Sequence, residues 1–135
     1  MKFSVATFLV STILTSSVYA DETISDAKKI QAVLSRIPVT DKDFGYKNIG
    51  ERLPSLGMTV DRINVGKIGK GEAEPPDFKV GDEVIDIFLS TPNEVIKAIC
   101  PITGGRTTYV IRGKKVIPLS RTGYWLMTNR CDFKG

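Results

Sequence analysis

The sequence predicts an α+β fold, with one N-terminal amphipathic helix packed on a mainly antiparallel β-sheet of four to five strands and one disulfide. Residues 25–37 carry apolar side chains at helical spacing. From residue 58 onward, short runs rich in β-branched and aromatic residues alternate with turn-forming residues, which is typical of strands. Cys100 and Cys131 are the only two cysteines, and an isolated pair in a small exported domain favours a structural bridge.

The prediction of export comes from residues 1–20, which have the pattern of a secretory signal peptide. Lys2 provides a positive start, an apolar run follows, and Val18 and Ala20 are small residues at the −3 and −1 positions of a cleavage site. The apolar run is shorter than the ~20 residues that span a bilayer. We therefore predict cleavage after Ala20, a single domain in residues 21–135 with no transmembrane segment, and a periplasmic or secreted location.

The N-terminal helix is predicted over residues 25–37. Ser25 is a suitable N-cap, and Pro38 stops the helix. One helical face carries the apolar side chains Ala27, Ile30, Val33, Leu34 and Ile37. This face needs a sheet to cover it. Residues 39–57 contain several turn and break residues and are predicted to be irregular.

Strands are predicted in the remainder of the chain from hydrophobic alternation between turns. The predicted strands are 58–65, 84–90, 107–112, 116–120 and 123–131. The third and fourth form a hairpin around Gly113, Lys114 and Lys115. In the last, Trp125 shares its parity with Cys131, so we expect Trp125 to face the core.

Residues 91–102 fit two structures. Thr91 and Glu94 form a capping box with proline at the first helical position, which indicates a helix. The same segment is rich in β-branched residues and stops at Thr103, which indicates a strand. We favour the strand slightly, because it completes a meander and lets Cys100 face Cys131 across the sheet.

Charge is polarised along the chain. Residues 71–94 contain seven acids and one base, whereas residues 106–135 contain seven bases and one acid. In one interpretation the two segments lie side by side in the sheet as cross-strand ion pairs. In the other, the bases form a face for an anionic partner, with aromatic side chains among them.

The sequence contains no histidine, which excludes Ser-His and Cys-His catalytic pairs and the commonest zinc ligand. A hydrolase that cleaves cell-wall glycan would need two carboxyl groups roughly 5–10 Å apart. The candidate carboxylates are Glu72, Glu74, Asp82, Glu83 and Asp86. Nothing in their spacing separates them from an acidic surface, so we predict that the protein is not an enzyme and holds no metal or cofactor.

The function predicted from these observations is that of a small exported binding protein, either a protein inhibitor or an accessory of the envelope or of a secretion system. The predicted binding surface is the basic C-terminal hairpin: Arg106, Tyr109, Arg112, Lys114, Lys115, Arg121 and Tyr124. The expected partner is a protein or an anionic envelope or glycan component, and nucleic acid is not expected. The alternatives are the small glycan hydrolase and a glycan-binding toxin subunit.

Overall fold

The computed structural model describes residues 22–70, 78–90, 100 and 105–134. The predicted signal peptide and the ambiguous segment 91–102, apart from Cys100, lie outside this part of the chain. In chain order the elements are β1 (Glu22–Ile24), α1 (Ala27–Leu34), a 3₁₀ turn (Lys42–Phe44), α2 (Ile49–Ser55), β2 (Val60–Lys67), β3 (Glu83–Leu89), β4 (Gly105–Arg112), β5 (Lys115–Pro118) and α3 (Arg121–Thr128). In the part that is described, no helix is both long and apolar enough to cross a membrane.

The described strands form one five-stranded antiparallel sheet in the order β1-β2-β3-β4-β5. Each strand therefore pairs with its neighbours in sequence, as in a meander. The α+β fold with an antiparallel sheet and a Cys100–Cys131 disulfide confirms the predicted fold class. The two cysteine Cα atoms lie 5.7 Å apart, which is a usual separation for a bridge.

One face of the sheet is covered by the helices and forms the main core. The strands contribute Ile63, Ile85 and Ile87, none of which has any exposed surface. Leu34 of α1 and Leu126 of α3 belong to the same cluster. Neighbouring residues on a strand point to opposite faces, so the register of β3 places Ile85 and Ile87 inward and Asp86 on the other face.

Helix α1 lies inside the predicted segment 25–37 but begins one residue later than the predicted cap implies. The side chain of Asp26, rather than that of Ser25, accepts a hydrogen bond from the Lys29 amide at 3.0 Å. Such a cap satisfies one of the free amides at the start of a helix.

The prediction that residues 39–57 are irregular is wrong, because they contain the 3₁₀ turn and helix α2. Asn48 caps α2 by accepting from the Glu51 amide at 3.1 Å, and Glu51 in turn accepts from the Lys47 amide at 2.9 Å. Pro54 lies inside this short helix, one residue before its end, where it cannot donate a backbone hydrogen bond.

The prediction of a final strand over residues 123–131 is also wrong, since this part of the chain begins with helix α3. Ser120 caps the helix by accepting from the Gly123 amide at 3.1 Å, and Asn129 ends it in the left-handed conformation at φ 58°. Trp125 is buried as expected, but through the helical period rather than the strand period. An eight-residue segment with several apolar positions fits both the helical and the strand period. The capping residues at its two ends therefore indicate which of the two structures forms.

Candidate binding surface

The seven residues predicted to form a binding surface do not lie together. Tyr109 has no exposed surface, and its hydroxyl donates to the Gly123 carbonyl at 2.9 Å. Burial raises the pKa of Tyr109 far above its ordinary value. The assignment of Tyr109 to a binding surface is therefore corrected, because its side chain packs α3 against β4 and cannot reach a partner.

Arg106 lies near one end of β4 and is paired within the sheet. Its guanidinium donates to both carboxylate oxygens of Asp86, at 3.3 and 3.1 Å, and Asp86 is almost completely buried. Arg106 and Arg112 are six positions apart, which corresponds to about 20 Å along an extended strand. One compact ligand therefore cannot contact both ends of β4 through these two side chains.

Arg112, at the other end of β4, is also paired. It donates to the two oxygens of Asp82 at 2.9 and 2.7 Å, and Asp82 is only 2 % exposed. The hydrogen bond from Arg112 is the main reason that the pKa of Asp82 lies below its usual range. These two pairs agree with the first interpretation of the charge pattern, in which acidic and basic segments lie side by side.

Arg121 and Tyr124 lie on α3, away from the hairpin. The Tyr124 hydroxyl donates to Asp132 at 2.8 Å, and Arg130 also binds this carboxylate. The hydrogen bond from Arg130 and that from Tyr124 lower the pKa of Asp132 to about 2. Tyr124 therefore belongs to a local surface cluster at the C-terminal end of α3 and not to the hairpin.

Lys114 and Lys115 remain at the exposed end of the hairpin, and the fold brings two further lysines to the same end of the sheet. Backbone hydrogen bonds join Ile68 to the turn before β3, from the Ile68 amide to the Asp82 carbonyl and from the Gly81 amide to the Ile68 carbonyl, both 2.9 Å. This pairing places Lys70 and Lys79 at the end where β3 starts and the β4–β5 turn lies. We call the surface formed by Lys70, Lys79, Val80, Lys114 and Lys115 the basic tip.

The side chains of the basic tip are exposed, and its lysines differ from the arginines of the sheet. Lys70, Lys114 and Lys115 make no ion pair with any carboxylate in the described chain, whereas Arg106 and Arg112 each hold a buried aspartate. Val80 is 57 % exposed. Glu72, Glu74 and Asp77 follow Lys70 in the sequence and lie outside the described residues.

Sequence reasoning missed Lys70, Lys79 and Val80 because they precede Lys114 by more than 30 residues. The available indication was the turn that leads into β3, where Gly81 adopts φ +92° and allows the chain to reverse. The register of β3 and β4 places the turn before β3 beside the β4–β5 turn. Lys70 and Lys79 therefore lie at the same end of the sheet as Lys114 and Lys115.

The carboxylates considered for a hydrolase are held by arginines where the structure describes them. Asp82 and Asp86 pair with Arg112 and Arg106, and Glu83 accepts from Arg36 at 3.0 Å. Asp82 directly precedes β3 and Asp86 lies within it, four positions further along, which corresponds to about 13 Å along an extended chain. This separation exceeds the distance between the two carboxyl groups of a glycosidase.

A cluster of two arginines and one phenylalanine lies at the opposite end of the sheet from the basic tip. The guanidinium carbons of Arg62 and Arg106 lie 4.0 and 5.7 Å from the centre of the Phe88 ring. An open depression of about 440 Å³ adjoins this cluster. Arg62 also pairs with Asp61, so each of the two guanidinium groups already has a carboxylate partner.

Within the described ranges, no group of three or more cysteine, aspartate or glutamate side chains is arranged to hold a metal ion.

Comparison of the chain with protein-family models, with curated proteins and with solved structures finds no match.

Proposed function

We propose that the protein is an exported, non-catalytic binding protein whose basic tip contacts an anionic partner in the periplasm or outside the cell. The observation that carries this proposal is the contrast between the arginines and the lysines. The sheet arginines are neutralised by buried aspartates, but Lys70, Lys114 and Lys115 have no carboxylate partner in the described chain. In this proposal their charges contact the external anion.

The electrostatics of the tip suit recognition of a partner that carries many negative charges. Exposed charges act over about 8 Å at physiological ionic strength. The β4–β5 turn and the turn before β3 are neighbours at one sheet end, so their lysines present a joint positive potential to an approaching partner. Such a potential raises the association rate and makes binding strongly dependent on salt.

A binding role is favoured over hydrolysis by the state of the described carboxylates. A general acid at neutral pH needs a raised pKa, as in a carboxyl group buried against apolar side chains. Asp82 has the opposite property, since its pKa is lowered by Arg112. A hydrolase that uses Asp82 with Asp86 would also have to bridge about 13 Å between them.

The test is retention on a sulfated polyanion, with heparin as the probe. Lys114→Glu combined with Lys115→Glu should lower the salt concentration at elution and weaken binding by at least about tenfold, because four units of charge change at the tip. The matched control is Lys28→Glu with Lys29→Glu, which changes the net charge equally on the exposed side of α1.

Lys28 and Lys29 lie in the first turn of α1, which follows the Ile24 end of β1. The chain approaches the hairpin end of the sheet only after α1, where Arg36 contacts Glu83. The control pair is therefore distant from the basic tip. Equal losses for the two double variants would show that net charge rather than the tip governs retention. That result would overturn the proposed surface.

A further inference from the structure

We infer that the anionic partner of the basic tip is a lipid surface, on which the protein docks reversibly with Val80 inserted among the headgroups. This inference rests on the proposed function and adds the class of partner. It comes from the position of one apolar side chain among the lysines.

Val80 is the one apolar side chain of the basic tip. It is 57 % exposed, and among the described residues no other large apolar side chain is classed as exposed. Its sequence neighbour Lys79 carries a charge, and Lys114 lies in the adjacent turn. A soluble polyanion bound by the lysines alone would leave Val80 in water, whereas insertion into a bilayer interface removes it from water.

The turn that carries Val80 is held in place by hydrogen bonds. The Lys79 amide donates to the Asp82 carboxylate at 2.7 Å, and the Asp82 amide donates to the Lys79 carbonyl at 3.0 Å. Arg112 then ties Asp82 to β4. Because the turn is already ordered, little conformational entropy is lost when Val80 contacts a partner.

Phe78, two residues before Val80, has a different environment. It packs on the small apolar cluster of Ile68, Val84 and Val110, whose members are almost completely buried. Phe78 is therefore partly buried against this cluster, whereas Val80 is exposed. Val80 is thus directed outward by the packing of the segment around it.

Lysine is suited to this contact. Its long apolar stem lies along an interface while the ammonium group reaches phosphate oxygens as a point charge. Each lysine near an anionic lipid surface raises partitioning by about fivefold. A few lysines and one inserted valine then give weak, reversible, salt-sensitive association, which differs from permanent anchoring.

The experiment is co-sedimentation of the exported, processed protein with vesicles. One set contains phosphatidylcholine alone, and the other contains phosphatidylcholine with 30 % phosphatidylglycerol, on the order of the anionic content that attracts basic segments. We expect binding to the anionic vesicles only, and a loss of most of it in high salt. Heparin retention of the same samples is measured in parallel.

Val80→Ser distinguishes insertion from charge alone, because it removes apolar surface without changing charge. We expect vesicle partitioning to fall by about threefold or more while heparin retention is unchanged. Ala27→Ser, at an exposed position on α1, is the control and should alter neither measurement.

The outcomes separate the two proposals. Heparin retention through the tip without binding to anionic vesicles would overturn the lipid inference and leave the proposed function standing. Vesicle binding that Val80→Ser leaves unchanged would also overturn insertion. Failure to bind either probe would overturn both proposals.

Discussion

At the scale of single residues, Arg52 shows how a charged side chain can serve as a core residue. It has no exposed surface, and its guanidinium lies 4.4 Å from the Phe44 ring centre and 4.3 Å from that of Trp125. One of its terminal nitrogens donates to the carbonyls of Trp125 and Leu126 at 2.6 and 2.8 Å. The other donates to the Asn129 side chain at 2.9 Å. Burial lowers the pKa of Arg52 to about 10, so it stays charged at neutral pH.

Replacement of Arg52 should therefore destabilise the fold strongly. Arg52→Ala removes the side-chain donor to the Trp125 and Leu126 carbonyls, of which Trp125 keeps its bond from the Asn129 amide, and opens a cavity, so we expect a loss of about 3–5 kcal/mol in the free energy of unfolding. Arg52→Lys keeps the charge but not the planar fork, so its loss should be smaller. Urea unfolding, followed by the fluorescence of Trp125, measures both. A volume-matched Arg52→Met variant as stable as the parent protein would show that these hydrogen bonds contribute no net stability.

At the scale of elements, Asp82 joins three parts of the sheet end. It accepts from the Lys79 amide of the preceding turn, its carbonyl accepts from Ile68 after β2, and its carboxylate holds Arg112 of β4. The position of the basic tip thus depends on one buried carboxylate. The same geometry explains why its pKa is low, since Arg112 stabilises the charged form.

The stability that Asp82 contributes should depend on pH. Because its pKa in the folded protein is below the ordinary value of 3.8, the unfolded chain binds the proton more readily. The contribution is therefore complete above about pH 4 and is lost as the pH falls through the folded pKa. Asp82→Asn should cost about 2 kcal/mol at pH 7 and progressively less in acid, as measured by urea unfolding at a series of pH values.

Asp61→Asn is the matched control for Asp82→Asn. Asp61 pairs with Arg62 in water, with its side chain 79 % exposed, so its replacement should cost less than about 1 kcal/mol at any pH. If the two variants lose the same stability at pH 7, the Asp82–Arg112 pair does not hold the sheet end together.

At the scale of the whole molecule, the disulfide closes a long loop. Cys100 is buried, Cys131 follows α3, and the 31-residue separation encloses β4, β5 and α3. A link of this length restricts the unfolded chain more than the folded one. In the chain-entropy view it stabilises by about 3–4 kcal/mol.

Removing the bridge should lower the free energy of unfolding by about 2–4 kcal/mol. The variant is Cys100→Ala with Cys131→Ala, since alanine leaves no unpaired polar group at the buried position. Urea unfolding of this variant should match that of the reduced parent protein. Equal stability of the variant and the oxidised parent would contradict a stabilising role for the bridge.

Local patterns in the sequence were sufficient for much of the architecture. The hydrophobic patterns of β2, β3 and β4 predicted three strands to within a few residues, and the run of Gly113, Lys114 and Lys115 predicted the hairpin turn. These features depend on neighbours along the chain, so they can be read from it. The cysteine pair was predicted in the same way, because only one pairing exists.

Helix α3 is an element that the local sequence pattern did not predict. Trp125 and Met127 fit an alternating strand as well as a helix, and Gly123 lets the helix lie close against β4. A Cβ atom at Gly123 would lie 2.6 Å from the Thr107 hydroxyl oxygen. That contact lies between parts of the chain that are 16 residues apart, and no local period reveals it.

The sequence by itself determined the fold class, the approximate positions of β2 to β5, the single disulfide pairing and the excess of bases in the C-terminal segment, but it predicted neither β1 nor helix α3. Only the tertiary structure decided which charges are neutralised. Asp82 and Asp86 lie 20 or more residues from Arg112 and Arg106, and the antiparallel register of β3 and β4 brings each pair together. The same register groups Lys79 and Val80 with Lys114. Charge can be counted from composition, but whether it is free or paired depends on distance in space.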